Sequence, residues 1–445
     1  MNYVFPEGLY TDVRIEHVYS TEIGFTMQNL EQCKEKKYSA AFVRVYDGSM
    51  WYYASTSDLG GIQGEIDALA TLATKNPNLA KSEVYKRLKP HKDVVMSFVS
   101  REVSQIPLDK KLELLKSAMP QIEENKFVQM WQLFYMDTYT VKEFFSSKGA
   151  NLKFDYQNTG FAASFTMVDG EKKMDGMMNI GGITFGELTG FEPKLEAELK
   201  ECEAFLLHSV PVVPGKYSVI FAPKLTGLFT HECFGHKSES DFMIGDETTR
   251  KEWQIGKEVG FPELTVVETG NIIGRGFTPY DDEGNKATMT YLVKNGILAG
   301  RLHNADSAAD LGEDITGNAR AMSYEYEPIV RMTTTYMDKG SKTYEELISE
   351  TQEGILLTDA YHGSGLSTFT IAPRYSYMIR DGKLSEPIRV SVVTGNVFEA
   401  LGDIDGISNK VEMFEALTAC GKMMQFPLPV GMAGPYIRVK NMNVQ

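Results

Sequence analysis

A proline-bracketed segment, Pro211-Val-Val-Pro214-Gly215, cuts the chain near its middle and limits every architecture open to it. Each proline fixes φ and withholds an amide donor, so neither a helix nor a central strand can run through the segment. At 445 residues the chain exceeds the usual size of a single core. The segment is therefore read as a junction between one domain over residues 1–210 and a second over 211–445.

Before the junction, strand-like and helix-like text alternates. Tyr38 to Tyr53 is rich in aromatic and β-branched residues around the Asp47-Gly48 turn signal, which predicts a hairpin. Ile62, Ile66, Leu69 and Leu72 recur at helical spacing, and a second helix is expected from Leu108 to Met119, stopped by Pro120. A β stretch from Phe127 to Met174 turns at Lys148-Gly149 and Asp169-Gly170. Leu195, Leu199, Cys202 and Leu206 then share one face of a helix. After the junction, a buried-type strand (Tyr217 to Ala222) leads into a helix from Leu225 to about Ser240, and the remainder reads mostly as β. Antiparallel-type strands with segregated helices predict an α+β fold: a mixed N-terminal domain, then a β-rich C-terminal domain carrying one informative helix.

Charge and composition narrow the partners. Lys and Arg number 45 against 60 Asp and Glu, for a net charge of −15. A field of that sign repels phosphate backbones and anionic lipid. Lys86-Arg87 to Lys92 is the densest basic stretch, and Leu88, Pro90 and His91 interrupt it; direct nucleic-acid contact is not expected. No segment approaches the ~20 apolar residues of a membrane span, and the first ten residues lack a secretory pattern. Four scattered cysteines, Cys33, Cys202, Cys233 and Cys420, are too few to staple the fold. They read as reduced thiols or ligands, and the expected location is the cytoplasm.

The informative helix carries Thr230-His231-Glu232-Cys233-Phe234-Gly235-His236. Two imidazoles around an H-E pair suit a Zn²⁺ site, with the adjacent Glu232 positioned to take a proton as general base. The usual four-residue spacing sets the rings ~40° apart on an α-helix, whereas five residues would set them ~140° apart. Either the segment holds no metal, or a local π-type turn brings the two rings onto one ion, and Gly235 offers a loose backbone for it. A catalytic zinc normally has three protein ligands. From the residues alone the third could be Glu239, one turn beyond His236, or a cysteine.

Several separated motifs resemble the TldD/PmbA family. Thr230 to Phe242 is similar to its H-E-x-x-x-H segment with a Glu-x-Asp-Phe tail, matched by Glu239, Asp241 and Phe242. Tyr53 to Asp58 resembles its F-A-S-T-N-D stretch and Asp281 to Gly284 its D-D-E-G turn. Thr316 to Arg320 resembles its T-G-N-x-R segment, and Cys420-Gly421-Lys422 with Leu428 to Gly431 its terminal C-G-K…V-P-V-G. The resemblance runs through almost the whole chain. It implies a zinc metallopeptidase with His231, His236 and Cys420 as ligands and Glu232 as base, acting on peptides or unfolded segments. Glu239 would then orient an imidazole N–H, and Asp282, Asn318 and Arg320 would support the site or bind substrate. The resemblance also implies a two-subunit assembly, either a homodimer or a pair with a PmbA-like chain. The competing readings are a non-catalytic PmbA-like partner subunit that binds rather than cleaves, a gyrase-modulating role, and hydrolysis through a cysteine nucleophile at Cys233 or Cys420. Met413, Met423, Met424 and Met432 are expected to fill core around the metal site.

Overall fold

The computed structural model describes residues 3–365, 367–414, 416–417 and 419–445. Its N-terminal half is built on one seven-stranded sheet. The strands are β1 (Tyr10–Thr26), β2 (Asn29–Tyr46), β3 (Trp51–Thr56), β4 (Lys92–Val95), β5 (Val128–Ser146), β6 (Asn151–Asp169) and β7 (Lys172–Gly182). They lie in the order β3-β2-β1-β5-β6-β4, with β7 also paired to β6. The Asp47-Gly48 hairpin forms as expected, with Ala41 to Tyr46 set antiparallel against Trp51 to Thr56. Helices α1 (Ile62–Leu72), α2 (Leu108–Glu123) and α3 (Glu192–His208) supply apolar stripes; in α1 Ile62, Ile66 and Leu69 are buried as their spacing predicts, whereas Leu72, at the helix end, is exposed. Leu115, Ala118 and Ile122 of α2 and Leu195, Leu199 and Cys202 of α3 join Trp131, Phe161 and Phe165 in one buried core.

Pro120 does not end α2 as expected. The helix runs on to Glu123 because Ile122 is fully buried in that core and the Glu124 N–H reaches the Pro120 carbonyl at 2.9 Å. One missing amide bond close to a helix end costs less than that burial returns.

In the C-terminal half, β8 (Gly215–Phe221), β9 (Glu353–Gly365), β10 (Thr368–Arg380), β11 (Val393–Asn396) and β12 (Ile437–Val444) pair in a ring that returns to its start. Closure leaves these strands few free edges. A six-stranded sheet, which includes Val266–Thr269, Thr334–Met337 and Gly431–Gly434, lies on the other side of helix α4 (Pro223–Thr230). Most pairings in this half are antiparallel, but β8–β9, Thr334–Met337 with Gly431–Gly434, and Val210–Pro211 with Ile388–Arg389 are parallel. All three of these parallel pairs join segments far apart in sequence, where no hairpin constrains direction. The fold is α+β. The proline segment is tied down at a sheet margin: Val210 and Pro211 pair with Ile388 and Arg389. Among the described residues no helix is long and apolar enough to cross a membrane.

Candidate metal centre

The centre begins with a helix that changes pitch. Helix α4 starts at Pro223, a residue suited to a first turn. Near its end the Thr230 hydroxyl donates to the Thr226 carbonyl at 2.7 Å, a side-chain bond that competes with the helical ladder and favours a bend. His231–Gly235 then forms a π turn, closed by the His236 N–H bonding to the His231 carbonyl five residues back. An i→i+5 turn brings residues five apart onto one side of the helix, which is what the two histidines require. The role of Gly235 differs from the one expected. Its φ of −56° is ordinary helical backbone, so its conformational freedom is not used. A Cβ there would lie 1.8 Å from the Met332 sulfur, so the residue is small because Met332 occupies the space.

The π turn sets the His231 and His236 rings 5.1 Å apart, centre to centre, at 81°. Cys420 arrives from a hairpin formed by Ala419–Lys422 and Gln425–Pro429. Its Sγ stands 3.5 Å from His236 Nε2, and one ligand atom from each of the three residues falls within 4.8 Å of the others. A tetrahedral zinc with ordinary Zn–N and Zn–S bonds sets N and S ~3.6 Å apart, so the His236–Cys420 pair already has the matching separation. Buried Nδ1 of His231 has no hydrogen-bond partner in the bare chain, an omission that a bound cation or its associated water can explain. Two imidazoles and a thiolate form a donor set suited to zinc.

The surrounding charges prepare those donors. Burial alone would raise the Cys420 pKa, but the charges and hydrogen bonds of His231 and His236 bring it down to about 5, which favours the thiolate. Burial would lower the His236 pKa, yet contact with Cys420 and Glu239 lifts it to about 10. Glu239 accepts from His236 Nδ1 at 3.0 Å, a bond that fixes the orientation of the imidazole. Half-buried Glu232 has its carboxyl pKa raised, chiefly by burial, while the adjacent imidazoles oppose the rise. A carboxylate of that kind is better matched to accepting a proton near neutral pH.

Two supports escaped the sequence reading. Lys422 Nζ donates to Asp241 Oδ1 (2.6 Å) and the Val330 carbonyl (2.8 Å) and lies 3.3 Å from Glu239 Oε2. Arg331, fully buried, donates to the Cys420 carbonyl at 2.8 Å. The signal for Lys422 was present: two residues after Cys420 on a strand, it shares that residue's face. Arg331 carries no local signal, because a clamp across 89 residues has no period.

The remaining candidates make scaffold contacts. Asp282 is buried against Lys142 at 2.5 Å. Asn318 donates to Glu268 and to the Arg331 carbonyl, and Arg320 donates to the Met332 and Pro429 carbonyls. Cys233 is fully buried in the core and its thiol pKa is pushed well up by that burial, a poor state for a nucleophile. Ser240, His303 and Glu313 line up within hydrogen-bond distance. Ser240 is nevertheless sealed and gives its proton to the Leu302 carbonyl, so the arrangement braces the Glu239 segment. Only Met432 of the four methionines is core. Met423 and Met424 are exposed at the hairpin tip and Met413 is also exposed.

The model of the PmbA/TldA metallopeptidase C-terminal domain matches residues 214–445, and that of domain 1 matches residues 11–76. The chain belongs to the TldD/PmbA metallopeptidase family. Among its TldD/PmbA relatives, a metalloprotease of Synechocystis is 30% identical, with 98% of this chain and 94% of that protein aligned. A zinc metalloprotease TldD homolog of Saccharolobus solfataricus is 26% identical over 98% and 96% of the two chains. The TldD/PmbA fold recurs in TldE from Thermococcus kodakarensis, with a TM-score of 0.75, 15% identity, and 98% and 96% coverage. A Thermotoga maritima protein described as a candidate modulator of a DNA gyrase has a TM-score of 0.77, 17% identity, and 98% and 96% coverage.

Proposed function

We propose that this chain is a zinc-dependent peptidase of the His-Glu-x-x-x-His type, with zinc held by His231, His236 and Cys420. The observation that carries the reading is the convergence of those three donors, from a π turn and a distant hairpin, within 4.8 Å of one another. When bound, zinc supplies Lewis-acid chemistry, polarising the scissile carbonyl and acidifying the attacking water. Glu232 takes the proton from that water and later delivers it to the leaving amine. Glu239 keeps His236 in one tautomer by accepting from Nδ1, and Lys422 neutralises Glu239.

The substrate is an extended peptide or an unfolded protein segment. Strand β9 pairs with β8 only through Leu357. Beyond that point, among the described residues, no strand pairs with this side of residues 358–365. A Cβ on Gly365 would lie 3.4 Å from the Glu232 backbone, so this edge runs beside the base. Main-chain pairing along such an edge accepts many sequences. The reading includes a cytoplasmic location and a two-subunit assembly, with itself or with a PmbA-like chain.

The test is a pair of substitutions with zinc content and peptide cleavage measured together. Glu232→Ala keeps zinc and loses cleavage, while His231→Ala loses both. Undiminished cleavage by Glu232→Ala overturns the assignment of the base, and purified protein that takes up no zinc overturns the centre.

A further inference from the structure

All three proposed ligands lie in the C-terminal half, yet the segment that delivers Cys420 is held by the N-terminal sheet. In strands β6 and β7, Gly160 is paired with Gly181 and Ala162 with Asn179. Their neighbours Phe161, Ala163, Met178 and Ile180 face the core beneath α2 and α3. By strand alternation, Gly160, Ala162, Asn179 and Gly181 lie on the opposite face, and Ala416 and Leu417 rest on it. A Cβ on Gly160 would fall 1.9 Å from Leu417 Cδ2, and one on Gly181 would fall 2.5 Å from the Ala416 carbonyl. The Asn179 Oδ1 accepts from the Leu417 N–H at 2.8 Å, and Ala416 is fully buried. Two facing glycines therefore make a slot that Ala416 and Leu417 fill, with a hydrogen bond fixing their depth.

Leu417 lies three residues before Cys420, at most ~10 Å of chain. Metal–ligand distances hold within ~0.2 Å of their ordinary values, and three residues offer little slack to absorb a larger shift. We propose that the Gly160–Gly181 slot, with Asn179, is the positioning element for the third ligand. The N-terminal sheet sets the height at which the hairpin enters the centre, so zinc affinity depends on residues that never approach the ion. The inference rests on the His231–His236–Cys420 reading.

The experiment uses the full chain, zinc competition with a chelator, and cobalt substitution, in which thiolate-to-cobalt charge-transfer absorption reports Cys420 ligation. Gly160→Ala is expected to weaken zinc binding by about 10–100-fold, the range found when groups supporting a ligand are removed, and to diminish the thiolate band. Leu417→Ala vacates the space the new methyl needs, so Gly160→Ala/Leu417→Ala is expected to bind zinc more tightly than Gly160→Ala alone. Asn179→Ala, which adds no bulk, is expected to weaken zinc binding by a smaller factor. If Gly160→Ala fails to fold, the unmodified chain still decides: coupling is reciprocal, so zinc must slow hydrogen exchange at the Leu417 amide. Wild-type zinc affinity and thiolate band in Gly160→Ala overturn the proposal, as does zinc-independent exchange at Leu417. Absence of zinc binding by the unmodified chain would instead overturn the centre itself.

Discussion

At Glu239 a cation and an imidazole meet: Lys422 Nζ lies 3.3 Å from Oε2, and His236 Nδ1 lies 3.0 Å from the same oxygen. Replacing the carboxylate by an amide keeps the shape and removes the charge. Glu239→Gln is therefore expected to weaken zinc binding by about 10–100-fold with little change in unfolding temperature, read by chelator competition and calorimetry. The same cluster sets a pH dependence. With His236 lifted to about 10 and Cys420 lowered to about 5, the metal-free pair at neutral pH is an imidazolium beside a thiolate. Zinc binding must expel the imidazolium proton, so affinity is expected to fall ~10-fold for each pH unit lost between pH 8 and 6. Calorimetry in two buffers of different ionisation enthalpy would count the released proton. The two histidines, Glu232 and Glu239 were legible because they sit within one short motif whose chemistry has a spacing. Cys420 came through resemblance, and Lys422 and Arg331 were passed over because their partners are nearby only after folding.

The π turn shows how an element can be implied by chemistry that its propensities do not encode. Spacing requires a widened helix, but a loose glycine is not what supplies it: Gly235 is helical and is small because of Met332. Gly235→Ala is expected to cost about 1–3 kcal/mol through overpacking, measured by urea denaturation. A Gly235→Ala/Met332→Ala pair should recover part of the zinc affinity that the single substitution loses. Elements with a strong period, such as α1 and the Asp47-Gly48 hairpin, were readable from residues alone. The parallel pairing of β8 with β9 was not, because no local pattern says which distant strand lies alongside. The exposed Met423 and Met424 mark a similar gap: hydrophobic composition suggested core, but a hairpin tip places them outward.

Across the whole molecule the D-D-E-G turn binds the two halves together. Asp282 meets Lys142 at 2.5 Å and Arg14 at 3.7 Å, and Glu283 meets Arg44 at 3.1 Å, all buried. Burial opposes ionisation of Asp282, but Lys142 and Arg14 outweigh it and hold the pKa below the usual carboxylate range. Lys142→Met removes the nearer of its two cations, leaving Arg14 alone, and is expected to cost at most about 3–5 kcal/mol in urea denaturation. Glu283 behaves oppositely, since burial lifts its carboxyl to about 7 despite Arg44. The folded chain then binds this proton more readily than the unfolded chain between about pH 4.5 and 7, so its contribution to stability falls as pH rises through that window. Urea midpoints for wild type and Glu283→Gln should diverge there, with the variant less pH-sensitive. The turn motif was visible in sequence, but its burial between halves was not, because turn composition alone suggests a surface. The closed ring has its own implication for biosynthesis. Strand β8 leaves the ribosome more than two hundred residues before β12, the neighbour that covers its second edge. Contacts that distant form slowly. Until β12 emerges, β8 presents an unpaired, apolar border that invites chaperone capture during translation.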